Sequence, residues 1–157
     1  SRLADTQPWP TFAAEVAARR EFVVPTRMAD HGVMGRVFED ISAQYLWKQL
    51  LTGNSPVEFT SLGRWWGNDP KKKCQAEIDI MGEQDSNTAL FAECKWRNEN
   101  VDLDVLEMLI DRSRLFHYTK MHYFLFSKNG FTKGCMERAD EMGNVTLVSY
   151  KDIVKAM

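Results

Sequence analysis

Residues 77 to 95 place charge where the surrounding pattern calls for apolar side chains. Glu77-Ile78-Asp79-Ile80-Met81 and Leu90-Phe91-Ala92-Glu93-Cys94-Lys95-Trp96 are apolar, β-prone runs, and the Gly82 to Thr88 segment between them is rich in turn formers. The arrangement predicts two antiparallel strands joined by a loop. Burying an uncompensated charge in such a hairpin is costly. Asp79, Glu93 and Lys95 sit where solvation is poor, and a hairpin register that opposes the two strand ends would bring the three together. Two carboxylates and an ammonium so gathered are what a divalent cation and an activated water require.

An acidic residue two positions before a lysine is a cheap pattern, expected roughly once or twice by chance in a chain of this composition. The sequence holds two copies. Asp69-Pro70-Lys71 fails on context, since Pro70 disfavours a central strand and no apolar run precedes it. Glu93-Cys94-Lys95 passes. Strand residues two apart share a face, so Glu93 and Lys95 project together, Ala92, Cys94 and Trp96 face away, and Asp79 alternates against Ile78 and Ile80. Glu39 is a fourth candidate, beside Phe38 at the edge of a helical apolar stripe and within reach of the sheet rim; a solvated helix flank is the competing reading.

The rest of the chain frames this hairpin. From Asp30 to Leu51 the apolar residues Val33, Met34, Val37, Phe38, Ile41, Tyr45 and Leu46 recur at helical spacing, with Gly53-Asn54 as a stop. Val57 to Trp66 predicts the first strand, broken at Gly67-Asn68-Asp69-Pro70. After the hairpin, a helix enters near Asp102 or Asp104, with Leu103, Leu106, Leu109 and Ile110 on its apolar face. A buried strand follows over His122 to Ser127, then a helix over Lys133 to Met142, a strand over Asn144 to Ser149 and a terminal helix. The order α, three β, α, β, α, β, α predicts an α/β fold: a central mixed sheet of four to five strands flanked by helices. Residues 1–29, punctuated by Pro8, Pro10 and Pro25, read as an N-terminal extension with one helix over Phe12 to Phe22 that offers a surface for homodimerisation; residues 30–157 read as the domain.

Composition narrows the classes. With 157 residues, 44% hydrophobic, the chain can bury one sizeable core. Its net charge of -2 leaves any nucleic-acid affinity to local patches, for which Arg64, Lys71, Lys72 and Lys73 are the candidates, a solvated loop being the plainer alternative. Cys74, Cys94 and Cys135 lack CxxC spacing, which argues against a disulfide framework or zinc site and for a reducing, cytoplasmic setting. No apolar run approaches a membrane span, and no signal-peptide pattern opens the chain. Trp65-Trp66 and Trp96 read as packing residues before they read as base-stacking ones.

Taken together, Gly35-Arg36-Val37-Phe38-Glu39, Gly63-Arg64-Trp65-Trp66, Glu77-Ile78-Asp79-Ile80, Glu93-Cys94-Lys95-Trp96 and Phe126-Ser127-Lys128-Asn129-Gly130-Phe131 resemble the uncharacterised domain found C-terminal to archaeal-type DEXX-box P-loop ATPases, a member of the PD-(D/E)XK, or restriction-endonuclease-like, superfamily. The resemblance runs from about Asp30 to the C-terminus. It implies a restriction-endonuclease-like fold in which Asp79, Glu93 and the backbone carbonyl of Cys94 hold Mg²⁺ or Mn²⁺. Glu39 would contribute directly or through water, and Lys95 would position or deprotonate the attacking water. The implied reaction is hydrolysis of DNA phosphodiester bonds. The implied partner is an ATPase domain of the same or another chain, although no GxxxxGK[ST] motif occurs here. The alternatives are a non-catalytic nucleic-acid-binding or ATPase-docking module, and a structural ion cluster in which Lys95 pairs with the two carboxylates.

Overall fold

The computed structural model describes the backbone of residues 6–9 and 25–157 and the side chains from residue 32 onward. The expected Phe12 to Phe22 helix lies outside the described residues. A strand β1 (Thr6–Trp9) is followed by helix α1 (Pro25–Leu51), strands β2 (Leu62–Asp69), β3 (Cys74–Glu83) and β4 (Thr88–Lys95), helix α2 (Leu103–Ser113), strand β5 (Lys120–Ser127), helix α3 (Lys133–Met142), strand β6 (Val145–Ser149) and helix α4 (Tyr150–Ala156). The six strands lie in sequence order in one sheet. β1 to β4 pair antiparallel, while β4, β5 and β6 pair parallel. The sheet is mixed and flanked by helices, as the order of elements implies.

Five of these strands correspond to those read from the sequence, and the sixth, β1, stands in the segment read as an extension. It pairs Thr6 to Trp65 and Trp9 to Leu62 at the sheet edge, where Pro8 costs no interior ladder bond. β2 begins at Leu62 rather than Val57; Val57 and Phe59 are buried but outside the strand. α1 is kinked at Gly32, whose φ of 72° is a left-handed value that glycine adopts without penalty, so two helical segments meet there.

Two apolar layers hold the helices to the sheet. On one face, Phe38 and Leu46 of α1 and Ile153 of α4 pack on Ile80, Leu90, Ala92, Phe124, Phe126 and Val148. On the other, Val105, Leu106 and Leu109 of α2 and Cys135 of α3 pack on Ile78, Phe91, Tyr123 and Leu125. Each large side chain so buried contributes roughly 1.5–3 kcal/mol. Asp102 caps α2, accepting from Leu103 N at 2.7 Å and from Thr132 Oγ1 at 2.8 Å, which ties the starts of α2 and α3 together. Ser149 and Asp152 form a reciprocal capping box on α4.

Candidate active-site cleft

Ile78 and Ile80 face opposite sides of the sheet, although two-residue spacing in a regular strand puts them on the same side. The register explains the departure from the expected alternation. Gly63 pairs with Met81 and Trp65 with Ile78, so β2 supplies Arg64 alone against Asp79 and Ile80 of β3. This is a β-bulge, which bends the strand and re-aims its side chains. The bulge falls on Asp79.

The β3–β4 ladder ends next to it. Ile80 pairs with Ala92, and no further pair joins these strands toward Cys74 and Lys95. β3 goes on pairing with β2 as far as Asp69–Cys74, and β4 with β5 as far as Lys95–Ser127. The sheet therefore splits, and Asp79 and Glu93 sit at the fork. In place of a ladder bond, Cys94 N donates to Asp79 Oδ2 at 3.0 Å, fixing that carboxylate in the gap. The split opens a cleft of about 860 Å³ lined by residues from α1, β2, β3, β4 and α2, among them Glu39, Trp66, Asp79, Glu93, Lys95 and Arg112.

Asp79 and Glu93 are 9% and 5% exposed, so neither carboxylate is fully solvated. Lys95 Nζ lies 3.3 Å from Glu93 Oε2, whereas Glu93 Oε1 is buried with no hydrogen-bond partner. Burial pushes the Glu93 carboxyl up to about 8, the Asp79 charge adds to this, and Lys95 and Arg112 oppose it. A buried acceptor without a donor is rare and calls for an occupant. Burial, with Asp79 beside it, also holds the Cys94 thiol well above its ordinary range, so the sulfur stays protonated.

Glu39 lines the same cleft but is already paired. Its Oε1 meets the Arg64 guanidinium and lies 3.3 Å from Arg36 Nη1. Arg64, read from sequence as a phosphate contact, is 4% exposed and turned to Glu39 instead, because it occupies the β2 position facing the bulge. Among the described residues no three Asp, Glu, His or Cys side chains converge closely enough to hold one ion. The two carboxylates at the fork are hard oxygen donors, the kind that Mg²⁺ and Mn²⁺ take together with several waters.

Lys71, Lys72 and Lys73 are exposed in the turn between β2 and β3. The decoy Asp69 shapes that turn, accepting from the backbone N of Lys71 and Lys72 at 3.0 and 3.1 Å. Lys72 Nζ reaches Asp111 Oδ2 at 2.5 Å, which links the turn to α2. The sequence reading did not single out Arg112 and read Trp66 as a packing residue, yet both line the cleft. Arg112, on α2, lines it and donates from Nη1 to the Glu77 carbonyl at 2.6 Å. Trp66 lines it on β2. Strand alternation carried a signal for the second, since adjacent tryptophans on one strand must face opposite ways; nothing local marks Arg112.

A mixed sheet that splits at two buried carboxylates defines the class of fold. The chain belongs to the DUF234 family, described as archaea bacterial proteins of unknown function, which it matches over residues 15–106. It is 32% identical over 82 residues to uncharacterized protein MJECL04 of Methanocaldococcus jannaschii; the match takes in 52% of this chain and 17% of that protein. Among solved structures it is similar to protein of unknown function AF1548, at 17% identity and a TM-score of 0.46 over 74% of this chain and 65% of that one. It is also similar to the DNA modification-dependent restriction endonuclease AspBHI, at 18% identity and a TM-score of 0.41 over 99% of this chain and 37% of that one. Among the described residues no helix is long and apolar enough to cross a membrane.

Proposed function

We propose that this chain is a metal-dependent nuclease domain of restriction-endonuclease-like type that hydrolyses DNA phosphodiester bonds. The observation that carries the proposal is the unpartnered, buried Glu93 Oε1 beside the backbone-anchored Asp79 carboxylate. Asp79, Glu93 and the Cys94 carbonyl are the ligands we assign to Mg²⁺ or Mn²⁺, with Glu39 contributing through water while Arg64 and Arg36 hold it in place. When bound, such an ion supplies a Lewis acid for a phosphate oxygen and for the charge on the leaving oxygen. Lys95, next to Glu93, holds the attacking water and takes part in its deprotonation. Arg112 keeps further N–H donors for a phosphate oxygen in the same cleft. Lys71 and Lys73 continue this positive edge along the turn.

The ATPase association is part of the proposal. The sequence resemblance alone supports it. The Lys95–Glu93 contact also supports a second reading, a structural ion pair in a non-catalytic DNA-binding or docking module. Titrating Mn²⁺ into the protein, Asp79→Asn and Glu93→Gln while assaying cleavage of single-stranded, duplex and branched DNA separates the two. The nuclease reading expects Mn²⁺-dependent cleavage that falls by more than about 100-fold in either variant, the scale for groups that stabilise transition-state charge. Wild-type protein that neither binds Mn²⁺ nor cleaves any form would favour the structural pair.

A further inference from the structure

Trp47, Trp65 and Trp96 each pack ring against ring, on Phe59 at 4.8 Å, Phe116 at 5.2 Å and Phe38 at 5.0 Å between centroids. Trp66 has no such contact among the described residues and is 47% exposed. The other large apolar side chains exposed among the described residues, such as Leu51, Met136 and Val154, lie away from the cleft; Trp66 is the one that lines it. An indole left half in water forfeits much of the burial free energy its size offers, and here it does so beside the carboxylate fork.

Its surroundings specify what would cover it. Trp66 pairs across the strands with Glu77, whose carbonyl holds the Arg112 guanidinium at 2.6 Å. The exposed Lys71, Lys72 and Lys73 turn follows at the end of the same strand. A half-exposed indole that shares its cleft with Arg112, with the lysine turn at the end of its strand, combines a stacking surface for a base with charge for phosphates nearby.

We propose that Trp66 is a stacking platform for an unpaired nucleobase, so that the cleft takes single-stranded or locally unpaired nucleic acid in preference to intact duplex. Within a duplex both faces of a base are covered by its neighbours, and only a base released from the stack can present one to an indole. The inference rests on the nuclease reading in treating the cleft as a nucleic-acid site, and its test does not require cleavage.

Fluorescence anisotropy of a short labelled DNA strand, alone and annealed to its complement, is measured in Ca²⁺ with wild type, Trp66→Ala and Trp66→Phe. Trp66→Ala should bind the strand about 10-fold more weakly and Trp66→Phe within about threefold of wild type, the range for one stacked base. Duplex affinity and the thermal midpoint should stay near wild type. Equal strand affinity of Trp66→Ala and wild type, an equal loss on strand and duplex, or no strand binding by wild type would overturn the proposal. Trp66-dependent strand preference without Mn²⁺-dependent cleavage would sink the nuclease reading and leave the platform standing. Cleavage with strand affinity indifferent to Trp66→Ala would do the reverse.

Discussion

Glu93 keeps its proton past neutrality because burial strips its charged form of water and the Asp79 charge lies beside it, with Lys95 and Arg112 offsetting only part of this. The sign of the consequence follows from proton counting. Between about 4.5 and 8 the native chain binds a proton at Glu93 that the unfolded chain has lost, so stability of the metal-free protein falls as pH rises through that window. Urea unfolding in EDTA at a series of pH values should show this decline in wild type, and Glu93→Gln should flatten it. A wild-type profile that rises from pH 5 to 8 would contradict the assignment. A cation entering the fork has to displace the same proton, so calorimetric Mn²⁺ affinity should climb with pH by up to about tenfold per unit and level off near 8.

At the scale of elements, the bulge in β3 and the pairing of α1 to β2 depend on one another. Arg64 stands alone opposite Asp79 and Ile80, and its guanidinium is committed to Glu39. Arg64→Met leaves a buried carboxylate with only Arg36 at 3.3 Å, and should destabilise by about 3 kcal/mol, the low end for breaking a buried pair. Glu39→Gln combined with Arg64→Met should recover part of that loss, since no lone charge then remains. Guanidinium midpoints for Arg64→Met, Glu39→Gln and the double variant test this, and strict additivity would show that the two residues do not act as a pair. The helices and interior strands were legible because period and turn chemistry agree along Asp30 to Leu51, Leu103 to Ser113 and His122 to Ser127. β1 was not, since Pro8 argues against a strand except at an edge that only the folded sheet defines. The bulge escaped for a related reason: Glu77 to Met81 alternates in sequence, and the extra residue exists only relative to β2. Asp79, Glu93 and Lys95 were readable as costly charges in apolar runs. The diversion of Arg64 to Glu39, and the arrival of Arg112 from α2, depend on tertiary approach that no local pattern encodes.

The whole molecule has 20 basic and 22 acidic residues, so no overall field draws in a polyanion. Binding to DNA must then rest on the few cations that the fold brings to one side of the split sheet. Arg64 is withdrawn into its ion pair, Lys72 is engaged by Asp111 and Lys95 by Glu93, so that on the nuclease reading Lys71, Lys73, Arg112 and the cleft-lining Arg97 are the cations assigned to phosphates among the described residues. About four such contacts imply that log K falls with log salt at a slope of about -3. That is shallow for a DNA-binding protein, and it means affinity persists at moderate salt only if stacking on Trp66 and ligation at the fork supply the remainder. Replacing Lys71 and Lys73 by Ala should reduce the slope by about 1.5 while leaving Mn²⁺ affinity unchanged, because both are exposed in the turn before β3 and neither is among the assigned ligands. Anisotropy titrations across a salt series decide it: a slope unaltered in the double variant would place the nucleic acid on another face of the sheet.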